Sequence, residues 1–343
     1  MANPIKLRER LLQAQGPMFA VLDGAQFEDL PTGLLNGSFV HKPLYRFSAA
    51  DRARARTAPQ LVWLDRDQAA TSRLDTPTVE SKADAAVLDR LLDLIAERAA
   101  AVFWQCPAGG DALYRHLRTI NKILFPRDAE IDHGKAYEAD PLKAADDNAD
   151  TALGAKDTHE WVVFRHADAN VMVQVLPALD SVQFARLFGP ADMLLFTPDE
   201  DWGGGAKLVH RPNELPNPSS GPLRLHTQTV KRIEHRRLLA SRARRARYLR
   251  DTCKAETRGT TDEAVAEHIR VSEETGTQLG LVSEAAHCRW AFIMCKTNGR
   301  ILQSREALGY IAHDGDSPDD QVKRFMLGIA DGLKRRSQGG LRP

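Results

Sequence analysis

Residues 160–196 read EWVVFRHADANVMVQVLPALDSVQFARLFGPADMLLF, and this stretch predicts the fold class of the chain. The consecutive bulky residues at 161–164 are typical of a short strand that is covered on both faces. Asp168 stands where its carboxylate can accept the free backbone N–H groups of a new helix. Residues 193–196 form a second apolar strand. Because a strand–helix–helix–strand order usually joins parallel neighbours, we expect the two strands to be parallel in one sheet.

Two helices are predicted between these strands. Pro177 cannot donate a backbone hydrogen bond, so it stops or kinks the first helix. Asp180 starts the second helix, with Gln183 as its capping-box partner. Phe188 continues the buried stripe of this helix, and Gly189 ends it by allowing a positive φ.

The rest of the N-terminal part alternates short apolar runs with amphipathic helices. One helix is predicted over residues 81–100, and another starts at Asp111 with Leu113, Leu117 and Leu124 on one face. This alternation is typical of a layered α/β domain. We therefore predict an α/β lobe over residues 1–201, with a mostly parallel or mixed sheet. Its expected strands are residues 18–22, 61–64, 101–104, 161–165 and 193–196.

Two segments interrupt or end this lobe. Residues 126–159 hold nine acidic residues and almost no large apolar ones, which predicts a mobile insertion. Residues 202–222 contain three consecutive glycines and four prolines, which predicts a linker. Residues 223–343 carry amphipathic helical patterns with capping signals, so we predict a small all-helical lobe there.

The composition excludes several broad classes of protein. The formal net charge of +1 does not suit a protein that binds nucleic acid over its whole surface. The four cysteines are scattered along the chain, which suggests reduced thiols in a cytoplasm. No run approaches the ~20 apolar residues that a membrane helix requires. We predict a soluble cytoplasmic protein that does not bind a membrane.

The residues that bind metals in other proteins do not form a metal motif here. His159 and Glu160 begin like a helical zinc-protease motif, but Val163 occupies the position of the second histidine. Cys288 and Cys295 lie seven residues apart on a predicted helix, where small buried side chains are the simpler interpretation. We predict no metal, no cofactor and no catalytic residue.

One enzymatic alternative remains open. An apolar strand that ends in Asp23 resembles the first motif of haloacid-dehalogenase-like phosphohydrolases, in which the aspartate is the nucleophile. Those enzymes have a second acid two residues later, where this chain has Ala25. The structural alternative for Asp23 is a carboxylate that caps the following turn.

A basic segment gives a second alternative. Residues 231–250 contain nine lysines and arginines but one acid, Glu234, and such a cluster can neutralise phosphates. The arginines surround the helix and aromatic stacking residues are scarce. This favours a solvated helix that meets an acidic surface, either of a protein or of the acidic insertion, over nucleic acid. The expected partner-binding residues are Arg236, Arg237, Arg244, Arg245 and Arg247.

Several short motifs, in this order and spacing, resemble the domain of unknown function 4123 family. This family comprises adaptor or chaperone proteins of bacterial type VI secretion. The likeness covers roughly residues 17–196 and continues more weakly into the helical lobe. Where the family usually has Asp-Pro-Arg after the Phe-Arg strand, this chain has Asp168-Ala169-Asn170. The motifs are Phe19-Ala20-Val21-Leu22-Asp23-Gly24-Ala25, Arg115-His116-Leu117-Arg118, Val163-Phe164-Arg165 with Asp168, Leu176-Pro177-Ala178-Leu179 and Phe188-Gly189-Pro190.

The resemblance implies a cytoplasmic adaptor without enzymatic activity. Such a protein binds a secreted effector and helps to load it onto the spike (VgrG-type) protein of the secretion machine. Arg165 is expected to tie a carboxylate or loop carbonyls, and Asp168 to cap the next helix. Structural roles are expected for Asp23, Gly24, Arg165, Asp168, Phe188 and Gly189.

Overall fold

A computed structural model of the chain describes residues 4–45, 51–65, 83–96, 98–127, 158–217, 220–312 and 316–339. Most of the predicted acidic insertion, residues 128–157, lies outside the described residues. The chain divides into two compact units within one long helix. The first unit holds the described residues up to Arg236, and the second begins at Arg237. The division thus falls beyond the segment 202–222 that was predicted as a linker.

Eight strands belong to the described part of the first unit, which we call the α/β unit. They are β1 (Met18–Leu22), β2 (His41–Pro43), β3 (Gln60–Trp63), β4 (Ala101–Gln105), β5 (Lys122–Pro126), β6 (His159–Val163), β7 (Met193–Phe196) and β8 (Lys207–His210). Six of them form the main sheet in the order β2-β3-β1-β4-β7-β8, and β5 pairs with β6 in a separate two-stranded sheet.

All neighbouring strands of the main sheet are antiparallel. The α/β class is confirmed, but the prediction of a mostly parallel or mixed sheet is wrong. A continuous run of apolar residues in the sequence indicates a strand whose two faces are both covered. Such a run does not indicate whether the neighbouring strand is parallel or antiparallel, and this explains why the predicted strand direction is wrong.

The predicted strand at 161–165 is also placed in the wrong sheet. The structure has this strand as β6, which pairs with β5 and not with β7. The predicted parallel crossover is therefore absent from the described chain. Trp161 is 53% exposed, so the bulky run at its start does not mark a strand with two covered faces.

Helices surround the main sheet of the α/β unit. Beside one sheet face lie α1, α2 and α4, whose apolar side chains share a core with Ala20, Phe103 and Leu195. The helices are α1 (Pro4–Gln13), α2 (Leu30–Asn36), α3 (Arg52–Thr57), α4 (Ala85–Ile95), α5 (Gly110–Thr119), α6 (Ala169–Val175) and α7 (Ser181–Phe188).

The helix α5 approaches the opposite face of the sheet closely at its first residue. A Cβ atom on Gly110 would lie closer than 3.0 Å to the side chains of Phe19 and Trp63. The predicted face of this helix extended to Leu124, but the helix ends at Thr119 and Leu124 lies in β5. The apolar spacing of a buried strand continued that of the helix, which explains the difference.

The predicted linker contains a strand of the main sheet. Within residues 202–222, β8 pairs with β7 in the register Leu195↔Leu208. The glycines before it, Gly203, Gly204 and Gly205, all have positive φ and lie in the turn that leads into β8. Glycines and prolines indicate turns here rather than a connection between lobes.

The second unit is helical throughout its described part, as predicted for the C-terminal lobe. One core of this unit surrounds the fully buried Trp290, and a second contains Leu249, Val265 and Ile269. The helices are α8 (Thr227–Thr252), which begins in the α/β unit, α9 (Asp262–Gln278), α10 (Glu284–Lys296), α11 (Arg305–Ile311) and α12 (Pro318–Gly339). None of the described helices has the length and hydrophobicity needed to cross a membrane.

Candidate functional site

Three residues of the α/β unit form an ionic cluster, the Asp23–Arg165–Asp168 cluster. Asp23 directly follows β1, and only 4% of it is exposed. Arg165 donates from Nε to Asp23 Oδ2 at 3.1 Å and also from Nη2 to the same oxygen. The Arg165 guanidinium lies 3.3 Å from Asp168 Oδ2. One arginine therefore joins the end of β1 to the start of α6.

Asp168 is the N-cap residue of α6, the position that the sequence predicts for it. Its carboxylate accepts from the backbone N–H groups of Asn170 at 2.8 Å and Val171 at 3.4 Å. Burial raises the pKa of this carboxyl, the Arg165 guanidinium lowers it, and the Asp23 charge raises it again. The net result is a raised pKa. Burial therefore outweighs the attraction of the Arg165 cation.

The turn after Asp23 is fixed by its own backbone geometry. Asp23 Oδ1 accepts from the N–H of Ala25 at 3.2 Å, so the carboxylate caps the short 3₁₀ turn at Gly24–Gln26. A Cβ atom on Gly24 would lie closer than 3.0 Å to the backbone of Thr57 and Ala58. Gly24 is therefore required for the close approach of two chain segments.

A second, partly buried network contains His116, Arg186 and Gly189. Arg186 donates from Nη1 to His116 Nδ1 at 3.4 Å, and His116 Nε2 then donates to the carbonyl of Leu187 at 2.8 Å. This pattern requires a neutral imidazole with its proton on Nε2. Arg186 also donates from Nε to the carbonyl of Gly221 at 2.7 Å. The network thus ties α5 to α7 and to the segment after β8.

Gly189 and Phe188 end α7 in this network. Gly189 has φ 54°, and Phe188 is fully buried with its ring stacked on Phe184 at 4.6 Å between centroids. A Cβ atom on Gly189 would lie closer than 3.0 Å to three atoms of the His116 ring. The glycine is required both by the backbone angle and by the imidazole beside it.

Two histidines of this unit, the buried His166 and the half-buried His116, have lowered pKa values. Burial lowers the pKa of His116 to about 4, with a smaller contribution from the positive charges of Arg186 and Arg211. Burial also lowers the pKa of His166 to about 3. His166 Nε2 is hydrogen-bonded to Asn121 Oδ1 at 2.8 Å, whereas His166 Nδ1 is buried without a hydrogen-bond partner among the described residues.

These histidines predict a stability that falls in acid. Since an unfolded histidine has a pKa of about 6.5, the unfolded chain binds more protons than the native one below that pH. The contribution of His116 is thus present above pH 6.5 and is lost as the pH falls towards 4, up to about 3 kcal/mol. We expect His116→Gln to flatten the pH dependence of urea unfolding between pH 7 and pH 4.5. Exposed His235→Gln is the control. An unchanged slope in His116→Gln would contradict this assignment.

The arginine-rich helix α8 uses part of its charge inside the helical unit. Arg245 is buried, 4% exposed, and its Nη2 lies 3.3 Å from Glu273 Oε1. Arg244 donates from Nε and Nη2 to the two oxygens of Glu284, both at 2.8 Å. The side chains of Arg244 and Arg245 are thus engaged within the unit, and their predicted binding to a partner stays a prediction. Arg236, Arg237 and Arg247 are exposed, and for them partner binding stays a prediction.

Sequence reasoning did not identify the carboxylates that face these arginines. Glu273 in α9 also accepts from Arg242 Nε at 2.8 Å, and Asp262 lies 2.7 Å from Arg250. The dense arginines of α8 were a signal for nearby acids, but the sequence does not say that those acids lie on the following helices. Burial of an arginine beside a carboxylate is decided by helix packing, which periodicity alone does not specify.

The described residues contain no group of three or more His, Cys, Asp or Glu side chains that could hold a metal ion. Cys253 and Cys106 are buried, and burial raises the pKa of the Cys106 thiol to about 11. Thiols with a raised pKa are poor nucleophiles at neutral pH.

Comparisons with protein-family models, with curated proteins and with solved structures found no match to this chain.

Proposed function

We propose that this protein is an adaptor that binds a type VI secretion effector in the cytoplasm and helps to load it onto the spike protein. The observation that carries the proposal is the position of the motif residues on which the family resemblance rests. Asp23, Arg165 and Asp168 meet in one cluster, and His116 and Gly189 meet in another. Residues far apart in the sequence thus have interlocking structural roles in one unit, as expected if they define a shared scaffold.

The surroundings of Asp23 give little support to the phosphohydrolase alternative. Its carboxylate is buried, is bound by Arg165 and caps the turn at Ala25, so its oxygens are already engaged. In addition, Asp23 follows a strand of an antiparallel sheet. Ligand sites of open α/β sheets lie at the carboxyl ends of parallel strands. A structural role for Asp23 accords better with an adaptor.

The nucleic-acid alternative loses support from the ion pairs of α8. Four of its arginines, Arg242, Arg244, Arg245 and Arg250, lie beside carboxylates of the helical unit. Those carboxylates offset the positive charge that would otherwise attract phosphates. The arginines of α8 that stay exposed suit a more limited contact with an acidic protein surface. Their charge would accelerate association with such a surface.

The direct test is co-purification with the products of neighbouring genes. The tagged full-length chain is expected to recover a secreted toxin and a spike protein together, in stoichiometric amounts. Recovery of neither, from cells that make both, would contradict the proposal. Magnesium-dependent hydrolysis of p-nitrophenyl phosphate that Asp23→Asn abolishes would support the phosphohydrolase instead. Salt-sensitive retention on DNA would support the nucleic-acid alternative.

The exposed arginines of α8 provide a sharper prediction within this proposal. Arg236 and Arg237 form no ion pair within the part of the chain that the structure describes. Replacing both by Glu is expected to weaken capture of the effector by about tenfold or more, since like charges would then face an acidic partner. Capture by the wild type should also weaken as salt rises, because exposed pairs are screened.

The measurement is a calorimetric titration with the recovered effector, with circular dichroism to verify folding. The matched control is Arg115→Glu, an exposed arginine of α5. Reversal of the charge of buried Arg245 is unsuitable as a test. It would place a second carboxylate beside that of Glu273 and unfold the helical unit. Equal affinities of the double variant and the wild type would remove α8 from the binding surface.

A further inference from the structure

The strand β8 ends the main sheet on one side, and no strand among the described residues pairs with its outer edge. The backbone N–H of Arg211 donates to the carbonyl of Asp192 at 2.7 Å, which continues the pairing of β8 with β7 beyond His210. Since backbone groups alternate in direction along a strand, Lys207 and Val209 face β7. Leu208 and His210 therefore turn their backbone N–H and C=O groups outward.

No other described segment occupies this edge. Among the described residues, the outward groups of Leu208 and His210 have no backbone hydrogen-bond partner beyond β8. Leu208 is 40% exposed, although it is a large apolar residue on a sheet edge. Proteins usually protect such edges with very short strands, charges or proline. The opposite edge strand, β2, is three residues long and ends in Pro43, and β8 is four residues long and begins with Lys207.

A cleft of about 360 Å³ lies along the same strand, and we call it the edge groove. Its lining includes both Leu208 and Val209, which are consecutive and so point to opposite faces of the sheet. The cleft therefore borders the edge strand, and its lining includes residues from both faces of β8. Its lining residues are Arg10, Val173, Leu176, Pro177, Phe196, Ala206, Lys207, Leu208 and Val209.

The lining of the edge groove is apolar with two cations. Lys207 Nζ donates to the carbonyl of Gly203 at 3.2 Å, and the Arg10 side chain is exposed. Neither side chain forms an ion pair with a residue that the structure describes. The groove therefore offers apolar contacts, positive charge and a row of outward peptide groups in one place.

We propose that the edge groove binds an extended segment of a partner protein, which adds to β8 as a further strand. The outward peptide groups favour a peptide over a lipid or a small apolar molecule, since those ligands would leave the groups without partners. The apolar lining of the edge groove favours β-branched residues in the bound segment. The two cations favour aspartate or glutamate on either side of those residues. The inference does not rest on the proposed function, because it depends only on the geometry of β8.

The test uses the full-length chain and a synthetic probe. The probe is a fluorescein-labelled peptide with three consecutive β-branched residues flanked by aspartates, and its binding is followed by fluorescence anisotropy. Saturable binding is expected. A peptide with lysines in place of the aspartates should bind about tenfold more weakly, and one with a central proline should also lose affinity because it lacks a backbone donor.

Two variants of the chain separate strand addition from other modes of binding. Leu208→Pro removes the outward N–H of an edge strand without removing a hydrogen bond to β7, a position where proline is tolerated. It should weaken binding of the probe by about two- to tenfold. Arg10→Glu combined with Lys207→Glu should weaken the aspartate peptide and strengthen the lysine peptide. Leu35→Asp, at a residue that is 68% exposed on α2, is the control.

Several results would overturn the proposal. These are no saturable binding to the wild type, equal affinity of both charge variants of the peptide, or unchanged binding to the charge-reversal variant. Should Leu208→Pro not fold, the charge-reversal variant decides alone. Displacement of the peptide by oleate at lower concentration would assign the groove to a fatty acid. A dimer in light scattering that Leu208→Pro dissociates would assign it to a second copy of the chain.

Discussion

Gly189→Ala is expected to lower the free energy of unfolding of the α/β unit by about 4 kcal/mol. Two costs combine in this substitution. Gly189 has φ 54° and ψ −120°, a conformation that strains a residue with a Cβ atom. The new methyl group would also lie closer than 3.0 Å to the His116 ring, which hydrogen bonds to Leu187 and Arg186 hold in place. Urea unfolding followed by circular dichroism measures the loss.

Two further variants separate the costs. Gly205→Ala has a similar φ of 64° but nothing within 4 Å of the added Cβ, so it should cost only about 1–2 kcal/mol. The difference between the two substitutions then combines the contact with the imidazole and the strain of ψ −120° at Gly189. Adding His116→Ala to Gly189→Ala should recover part of the loss, because the obstructing ring is gone. If Gly189→Ala costs no more than Gly205→Ala, the contact between Gly189 and His116 does not determine the end of α7.

Arg165→Ala is expected to lower the free energy of unfolding by about 2–4 kcal/mol at pH 7. It would leave two buried carboxylates, Asp23 at 4% and Asp168 at 7% exposed, without their common cation. The side chain of Arg165 is itself 35% exposed, so water screens part of the interaction, and the loss should fall short of that for a fully buried pair.

The pH dependence of this loss identifies its cause. Without Arg165, the pKa of the buried Asp168 carboxyl should rise further above its unfolded value of about 4, so the native variant binds more protons there than the unfolded chain. The contribution of Asp168 to the stability of the variant is then greatest in acid and is lost as the pH rises through that native pKa. The gap between wild type and variant should therefore widen from pH 4 to pH 7.

Adding Asp23→Asn to Arg165→Ala should recover part of the stability, since a neutral amide replaces one buried charge. Exposed Arg115→Ala is the control, with an expected change within about 0.5 kcal/mol. A loss that is equal at pH 4 and pH 7 would mean that Arg165 acts through packing of its aliphatic stem and not through its charge.

Helix caps and the positive φ of a helix-ending glycine were predictable from the sequence, because each depends on a residue and its near neighbours. Asp168 and Asp180 cap helices, and Gly189 takes a positive φ, because capping and left-handed backbone depend on neighbouring residues alone. The five apolar runs are strands for the same reason: β-branched and aromatic residues in short runs favour extended backbone.

The pairing of the strands was not predictable, because it depends on residues far away in the chain. The run at 161–164 resembles that at 101–104, yet Trp161 is 53% exposed and Trp104 is fully buried. Their difference arises from the partner strands, β5 in one case and β1 with β7 in the other. Similarly, the ion pairs of Arg244 and Arg245 depend on how α9 and α10 pack, and the helical pattern of α8 does not contain that information.

The order of strands in the main sheet also has a consequence for synthesis of the chain on the ribosome. The strands β1, β3 and β4 can pair as soon as β4 emerges, but β7 follows about 90 residues later. At translation rates of about 5–20 residues per second, the outer edge of β4 waits for about 5–20 s before its partner exists. During that interval the outer edge of β4 has no partner strand. This edge includes Val102, Phe103 and Trp104, which pair with β7 in the complete sheet. An unpaired apolar edge favours aggregation, so we expect the nascent chain to be exposed to that risk until β7 has been made.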